Sequence, residues 1–452
     1  MSMREQAGRP VRVWFSSEDG TRYRLARQAD LEMRAAGDEE SRQKDAPTIQ
    51  IDPAVKYQSI LGMGSSLDEA SVYHLTRMSP ETRQRVLRSL VDPEEGVGWN
   101  LWRICFGTSD FTSQPYYSYD DMPAGETDVA LGHFSIQKDI DCNVIDMIKQ
   151  AVACNPEIVI FASPWSPPGW TKSSGSMCTG HLLPEYYAVA AAYYARAIQA
   201  YEEQGIPIHA FTLQNEPLMV HKGYPTCYMS WQEKNEFLKT VKAEFQRCRI
   251  GARIWIFDHN FEDAMRYPAH ILQDAESYAA TDGVAFHDYA GSPSQMTTLH
   301  EAFPDKELFL TEHSNFRARG IDRLLQYFRN WARSYNAWVT CLDDRQQPNP
   351  GPHPCSPTFV TVNRNDPNDC RYIAEYYLFG QVSKFVQRGA HRIESNYGTR
   401  DTVTNAAFLN PDGTTVLVVV NQTDQEQPFV MSAMGAQAHA VVPAGTVATY
   451  VW

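Results

Sequence analysis

Two glutamates carry the clearest chemical signal in this sequence: Glu216 in Phe211-Thr-Leu-Gln-Asn-Glu-Pro217 and Glu312 in Leu308-Phe-Leu-Thr-Glu-His313. Each follows a short apolar run that reads as a buried strand, so each carboxyl is expected at a strand's C-terminal tip. A carboxylate placed there loses solvation unless something compensates for it. Two such groups facing each other across one site suit glycoside hydrolysis, one as proton donor and the other as nucleophile or base. Glu312 fits the ionised nucleophile, with Arg103 and His287 as candidates to keep it charged. Glu216 is then expected to hold a proton, favoured by burial and by the neighbouring charge of Glu312. Asn215 beside it fits a hydrogen bond to a sugar 2-hydroxyl, and Pro217 ends the strand's pairing.

Positioning these residues requires a repeated strand-helix unit. Strand candidates are Tyr57–Gly64, Trp99–Phe106, Glu157–Ser163, Ile208–Gln214, Ala252–Asp258, Gly283–His287, Glu307–Thr311 and Ala337–Leu342. Amphipathic segments separate them, including Ser79–Leu90, Ile140–Ala153, Pro184–Gln204, Trp231–Cys248 and Ile321–Ser334, and Tyr372–Val386 follows the eighth. Eight such units predict an α/β fold of the (β/α)8 barrel type, with the active site at the C-terminal strand ends. Those ends carry Asp68, Arg103, Asp110, Trp165, Asn215-Glu216, Asp258-His259, His287-Asp288-Tyr289, Glu312-His313 and Asp343-Asp344. The stiff loop Ala162-Ser-Pro-Trp-Ser-Pro-Pro-Gly-Trp-Thr-Lys172 presents Trp165 and Trp170 as rings for a sugar face.

Both termini read as short β runs. Val11–Phe15 pairs with Arg22–Arg27, and after Gly389 come Ala406–Leu409, the turn Asn410-Pro-Asp-Gly413, Thr415–Asn421, Ala438–Val442 and Thr446–Val451. The predicted layout is residues 1–50 for N-terminal sandwich strands and a polar linker (Ala35–Pro47), 51–388 for the barrel, and 389–452 for the rest of one antiparallel β-sandwich.

A formal charge of −14 argues against nucleic acid or an anionic membrane as the main partner. No run is long enough to span a membrane, and Met1 to Pro10 has no apolar core of the signal-peptide kind, which leaves the compartment open. Nine cysteines cannot all pair; Cys105 and Cys341 read as buried hydrophobes, and no zinc spacing occurs. No cofactor is implied. Asn421-Gln-Thr423 fits an N-glycosylation acceptor. A metal-dependent hydrolase is the competing reading, since Asp258, His259, His287, Asp288 and His313 lie at strand ends. Against it, adjacent strand residues face opposite ways, so Asp258 and His259 should not both point inward. A silent carbohydrate-binding protein is a third reading, opposed by the presence of both glutamates.

Taken together, Val55–Gly64, Arg103 with Ser109-Asp-Phe111, Ala162–Trp165, Gln214-Asn-Glu-Pro217, Gly223-Tyr-Pro225, His287 with Tyr289, and Thr311-Glu312 resemble glycoside hydrolase family 30, which includes glucosylceramidases. The resemblance runs nearly end to end and implies a barrel with a side β-sandwich and a retaining double displacement. It implies Glu216 as acid/base and Glu312 as nucleophile, with Asp110, Trp165 and Asn215 contacting the sugar. Arg103, His287 and Tyr289 would support the nucleophile. Where glucosylceramidases place a Trp-Asn pair after the eighth strand, Cys341-Leu342 stands here, and Asp343 is expected to take a sugar hydroxyl instead. The implied activity is a glucosylceramidase-like retaining β-glucosidase acting on a carbohydrate or glycolipid. The alternatives within the family are β-1,6-glucanase, β-xylosidase and β-fucosidase.

Overall fold

Short apolar runs alternating with amphipathic segments close into a parallel barrel beside a curled β sheet. A computed structural model describes residues 8–35, 46–353 and 358–452. The barrel strands are β1 (Gly62–Ser65), β2 (Leu101–Cys105), β3 (Val159–Ser163), β4 (Ile208–Phe211), β5 (Arg253–Asn260), β6 (Gly283–His287), β7 (Glu307–Glu312) and β8 (Ala332–Ala337). Each pairs with the next, and β8 returns to β1 with Ser334 opposite Gly62. The ring shuts where Ser66 bridges Arg103 and Leu67 N–H bonds Arg103 O at 2.8 Å. Glycine permits this seam, since a Cβ on Gly64 would lie 2.0 Å from Leu101 O.

The intervening helices carry local start signals. Ser79 caps Pro80–Val91 with proline in its first turn, and Ser230 with Glu233 forms a capping box on Trp231–Cys248.

Three boundaries differ from expectation. Tyr57–Ser59 belongs to the long strand Thr48–Ser59 of the sandwich sheet, so the expected division after residue 50 falls inside one strand. The expected helix Ile321–Ser334 ends at Arg329. The eighth barrel strand is Ala332–Ala337, upstream of the apolar run Ala337–Leu342. Its Ser334 and Asn336 are buried, and each donates a hydrogen bond, to Leu310 O at 3.2 Å and to Leu101 O at 2.9 Å. Hydrophobicity therefore points past this strand. Cys341–Asp343 instead joins Val360–Asn363 and Asp366–Tyr372 in a three-stranded sheet.

Alternation along the strands builds the barrel interior in layers. Leu101, Phe161, Ala210, Trp255, Ala285 and Phe309 form an apolar floor, with Trp255 and Phe309 stacked at 3.9 Å. Two residues further along β2, β3, β6 and β7, and just beyond β4, stand Arg103, Ser163, His287, Thr311 and Thr212, all fully buried. A polar layer thus lies directly on an apolar one.

The sandwich sheet interleaves chain ends. Pro10–Ser17 pairs with Ala26–Arg27 and with Thr446–Val451; Thr48–Ser59 lies between His391–Ser395 and Gln427–Ala433. Asn410 to Gly413 makes the expected hairpin turn, with Gly413 at φ +83° and its N–H bonding Asn410 O at 3.0 Å. The segment from 36 to 45, within the expected linker, lies outside the described residues. Asn421 is fully buried and donates to three backbone carbonyls, those of Gln425, Val442 and Pro443, so this triplet works as a structural bracket and presents no acceptor at the surface. The eight described cysteines are all free. Among the described residues no helix is long and apolar enough to cross a membrane.

Candidate active site

Two irregularities determine what the strand ends present. In β5, Phe257 at φ +78° and Asp258 at φ +63° occupy the left-handed region, and pairing with β6 slips between Phe257 and His259. Such a bulge lets consecutive residues face the same way, at a cost in local strain. Asp258 reaches Arg103 and His287, while His259 Nδ1 lies 3.8 Å from Glu216 Oε1. The expectation that only one of them could turn inward is therefore corrected. A second slip occurs in β7, where Phe286 pairs with Leu310 but His287 with Glu312. Thr311 consequently donates to Asp258 Oδ1 at 2.7 Å, while its neighbour Glu312 bonds Arg103.

Arg103 is the hub. Its guanidinium donates to Glu312 Oε2, to Asn215 Oδ1 at 2.7 Å, to Asp258 Oδ2 at 3.0 Å and to Ser163 Oγ at 3.1 Å. Its carbon lies 4.8 Å from the Trp165 ring centre. Tyr289 Oη adds a 2.8 Å bond to Glu312 Oε1. Glu216 stands beyond the end of β4 at φ +42°, its N–H bonded to Asp258 O at 3.0 Å. His287 Nδ1 lies 3.0 Å from Glu216 Oε1, and its Nε2 lies 3.0 Å from Asp258 Oδ1. Oxygens of Glu216 and Glu312 approach within 4.8 Å of each other and of the His287 ring.

The charges are tightly interdependent. Burial pushes the Asp258 carboxyl up, but the Arg103 and His287 charges outweigh it and hold the group well below the usual carboxylate range. Burial pulls His287 down, yet Glu312 and Asp258 raise it to about 9, so the ring is cationic at neutral pH. Burial likewise pushes Glu216 up, but the hydrogen bond and charge of His287 prevail and lower it. Burial and the Glu312 charge therefore do not act alone on Glu216: the His287 hydrogen bond pulls its carboxyl the other way. Asp110 is raised well above its ordinary value by burial and then by the charge of Glu312.

A pocket of about 410 Å³ opens over this network, lined by Asp110, Trp165, Asn215, Tyr289 and both glutamates. Arg103 and His287 lie fully buried beneath it. Asp343 does not line it: its carboxylate accepts the N–H groups of Arg345 and Gln347, both at 2.8 Å, and closes its own turn. Trp338 occupies the pocket wall instead, stacked on Trp165 at 5.0 Å and meeting Phe111 edge-on at 5.6 Å. The ring thought to be missing after the eighth strand is present, because that strand ends at Ala337. Moving the strand a few residues upstream would have put Trp338 at its tip. Tyr224, within the quoted Gly223-Tyr-Pro225, also lines the pocket and was given no role from sequence. Trp170 faces a separate cavity and donates to Asp120 O at 2.9 Å. Asp68 caps a helix through Ser71 N–H.

The groups that favoured a metal centre do not all converge: Asp258, His259 and His287 meet at Glu216, but Asp288 and His313 stand apart. Asp288 is held by Arg323 through two 2.6 Å bonds, and His313 faces another cavity beside Arg319. Glu216, His287 and Glu312 are close enough to share an ion, but their lone pairs already meet Arg103, Tyr289 and each other.

A closed barrel with two carboxylates over a polar core defines a glycoside hydrolase scaffold. The glycosyl hydrolase family 30 TIM-barrel domain matches residues 60–349, and the family 30 β-sandwich domain matches residues 389–450. The chain belongs to glycoside hydrolase family 30. It is 30% identical to an endo-1,6-β-D-glucanase of Neurospora crassa, over 92% of this chain and 89% of that protein. Lysosomal acid glucosylceramidase of Mus musculus is 25% identical over 98% of this chain and 90% of its own length. The solved structure of an endo-β-1,6-glucanase superposes with a TM-score of 0.87 at 28% identity, covering 98% of this chain and 99% of that one.

Proposed function

We propose that this enzyme is a retaining β-glucosidase of the endo-1,6-β-glucanase type. The approach of the Glu216 and Glu312 oxygens to within 4.8 Å carries the reading. Retaining enzymes hold their carboxyl groups about 5–5.5 Å apart, whereas inverting ones need about 6.5–9.5 Å to admit a water. Glu312, with donors on both oxygens, attacks the anomeric carbon and forms the glycosyl-enzyme. Glu216 protonates the leaving oxygen and later removes a proton from the attacking water. Its proton comes from His287 across the 3.0 Å hydrogen bond. That transfer turns an imidazolium-carboxylate pair into two neutral groups, which is favoured as a bound sugar displaces water from the pocket. Asn215, oriented by Arg103, and Asp110 serve the sugar hydroxyls, and Trp165 with Trp338 forms the apolar wall.

The β-1,6 linkage is supported by the relatives: endo-1,6-β-glucanases at 28–30% identity stand above the glucosylceramidase at 25%. The test is a comparison of β-1,6-glucan with glucosylceramide, following product anomers by NMR. Rapid release of β-configured oligosaccharides from the glucan is expected. Hydrolysis of glucosylceramide alone would return the specificity to the glucosylceramidase reading, and α-configured first products would remove the retaining mechanism.

A further inference from the structure

Residues 106–136, between β2 and the helix Gln137–Asp141, form a long connection without helix or strand. Its first part delivers Asp110 to the pocket. Further along, Asp120 is 1% exposed, yet neither of its carboxylate oxygens has a hydrogen-bond partner among the described residues. Buried carboxylates ordinarily have partners, because bare ones forfeit hydration without replacement. What faces Asp120 adds to the difficulty. Asp128, also buried, presents a second carboxylate, and one ligand atom from each of Asp120, Asp128 and His133 lies within 4.8 Å of the others. Asp128 Oδ2 accepts the His133 N–H at 2.7 Å and lies 3.0 Å from that ring's Nδ1. Among the described residues no lysine or arginine pairs with either carboxylate; Lys138 goes to Asp121.

We propose that Asp120, Asp128 and His133 form a structural site for a divalent transition metal such as zinc or manganese. Two carboxylates and an imidazole make a mixed oxygen and nitrogen donor set suited to these ions, whereas calcium prefers six to eight oxygens. Metal–ligand lengths of about 2.0–2.2 Å require the three atoms to draw in slightly, and the mostly exposed His133 ring has room to do so. Water completes the coordination shell. The ion would link the middle of the loop to its C-terminal part. Through the Asp120 carbonyl, which accepts from Trp170 Nε1, it would also brace the loop after β3. Its role is to hold these loops in place, separate from the reacting carboxylates.

Chelator-dialysed full-length protein should bind one zinc ion at this site by calorimetry. A hundredfold excess over Kd should raise Tm by roughly 3 °C. Asp120→Asn and His133→Ala should each abolish both effects, while Glu312→Gln, which alters the other close cluster of donors, keeps them. His133 is mostly exposed, so His133→Ala decides the matter even if Asp120→Asn fails to fold. No stoichiometric binding by the parent protein, or undiminished binding in His133→Ala, would overturn the proposal.

Discussion

Glu312 ends β7 inside the hydrogen-bonded ladder, opposite His287, with a guanidinium and a phenol donating to its two oxygens. Glu216 stands five residues past the end of β4, on left-handed backbone, with the His287 imidazole hydrogen-bonded to its carboxylate and that of His259 3.8 Å away. The two glutamates share a pocket but not a kind of support. Donors on both oxygens stabilise the ionised form and fix its position, which suits a nucleophile. Titratable imidazole partners let a carboxyl change protonation state between steps, which suits an acid that must become a base. The difference shows that the barrel assigns the proposed roles through backbone irregularity and hydrogen-bond partners, since the residue type is the same.

Removing the ladder-held carboxylate should have the largest effect. Glu312→Gln is expected to lower kcat on any β-glucoside by about 10⁴-fold or more while leaving the fold intact by circular dichroism. A fall of less than tenfold would break the comparison, because Glu312 would then not be the attacking group. Glu216→Ala should cost about 10²–10⁴-fold on substrates with poor leaving groups. On a dinitrophenyl glucoside the first step should be nearly unimpaired, and azide should rescue turnover as a β-glucosyl azide. Equal losses on both substrates would mean that Glu216 and Glu312 do not differ as their surroundings imply.

Tyr289→Phe sharpens the account of Glu312, since it removes one donor and leaves Arg103 in place. Loss of a hydrogen bond to a charged group predicts a drop in kcat of about 10–100-fold with little change in KM. The smallest effect concerns His287. Its ring is raised to about 9 against an ordinary value of 6.5, so folding tightens its hold on a proton. That stabilisation is complete below pH 6.5 and is lost as pH rises through about 9. The parent's Tm advantage over His287→Gln should therefore shrink across this window. An advantage that grows with pH there would contradict a cationic His287.

The sequence supported some parts of this picture because their signals are local. Asn-Glu-Pro and Leu-Thr-Glu lie at the ends of apolar runs, and Trp231–Cys248 carries its own cap and amphipathic face. The eighth strand lies outside the apolar run because Ser334 and Asn336 are polar residues whose donors find carbonyls on β7 and on distant β2. That shift hid Trp338 and gave Asp343 a place that it does not occupy. Hydrophobic runs mark strands whose side chains meet apolar neighbours; they fail where the barrel interior is itself polar.

By itself, then, the sequence determined the family, the succession of strands and helices, and the two carboxylates as the chemical centre. Tertiary structure alone decided the bulges in β5 and β7, the aromatic wall at Trp338 and the hydrogen bond that joins His287 to Glu216. These depend on which residue of one strand stands opposite which residue of the next, and a one-residue slip sends a side chain to the other face. The pKa order of His287, Asp258 and Glu216 follows from charges that only the closed barrel brings within about 3 Å.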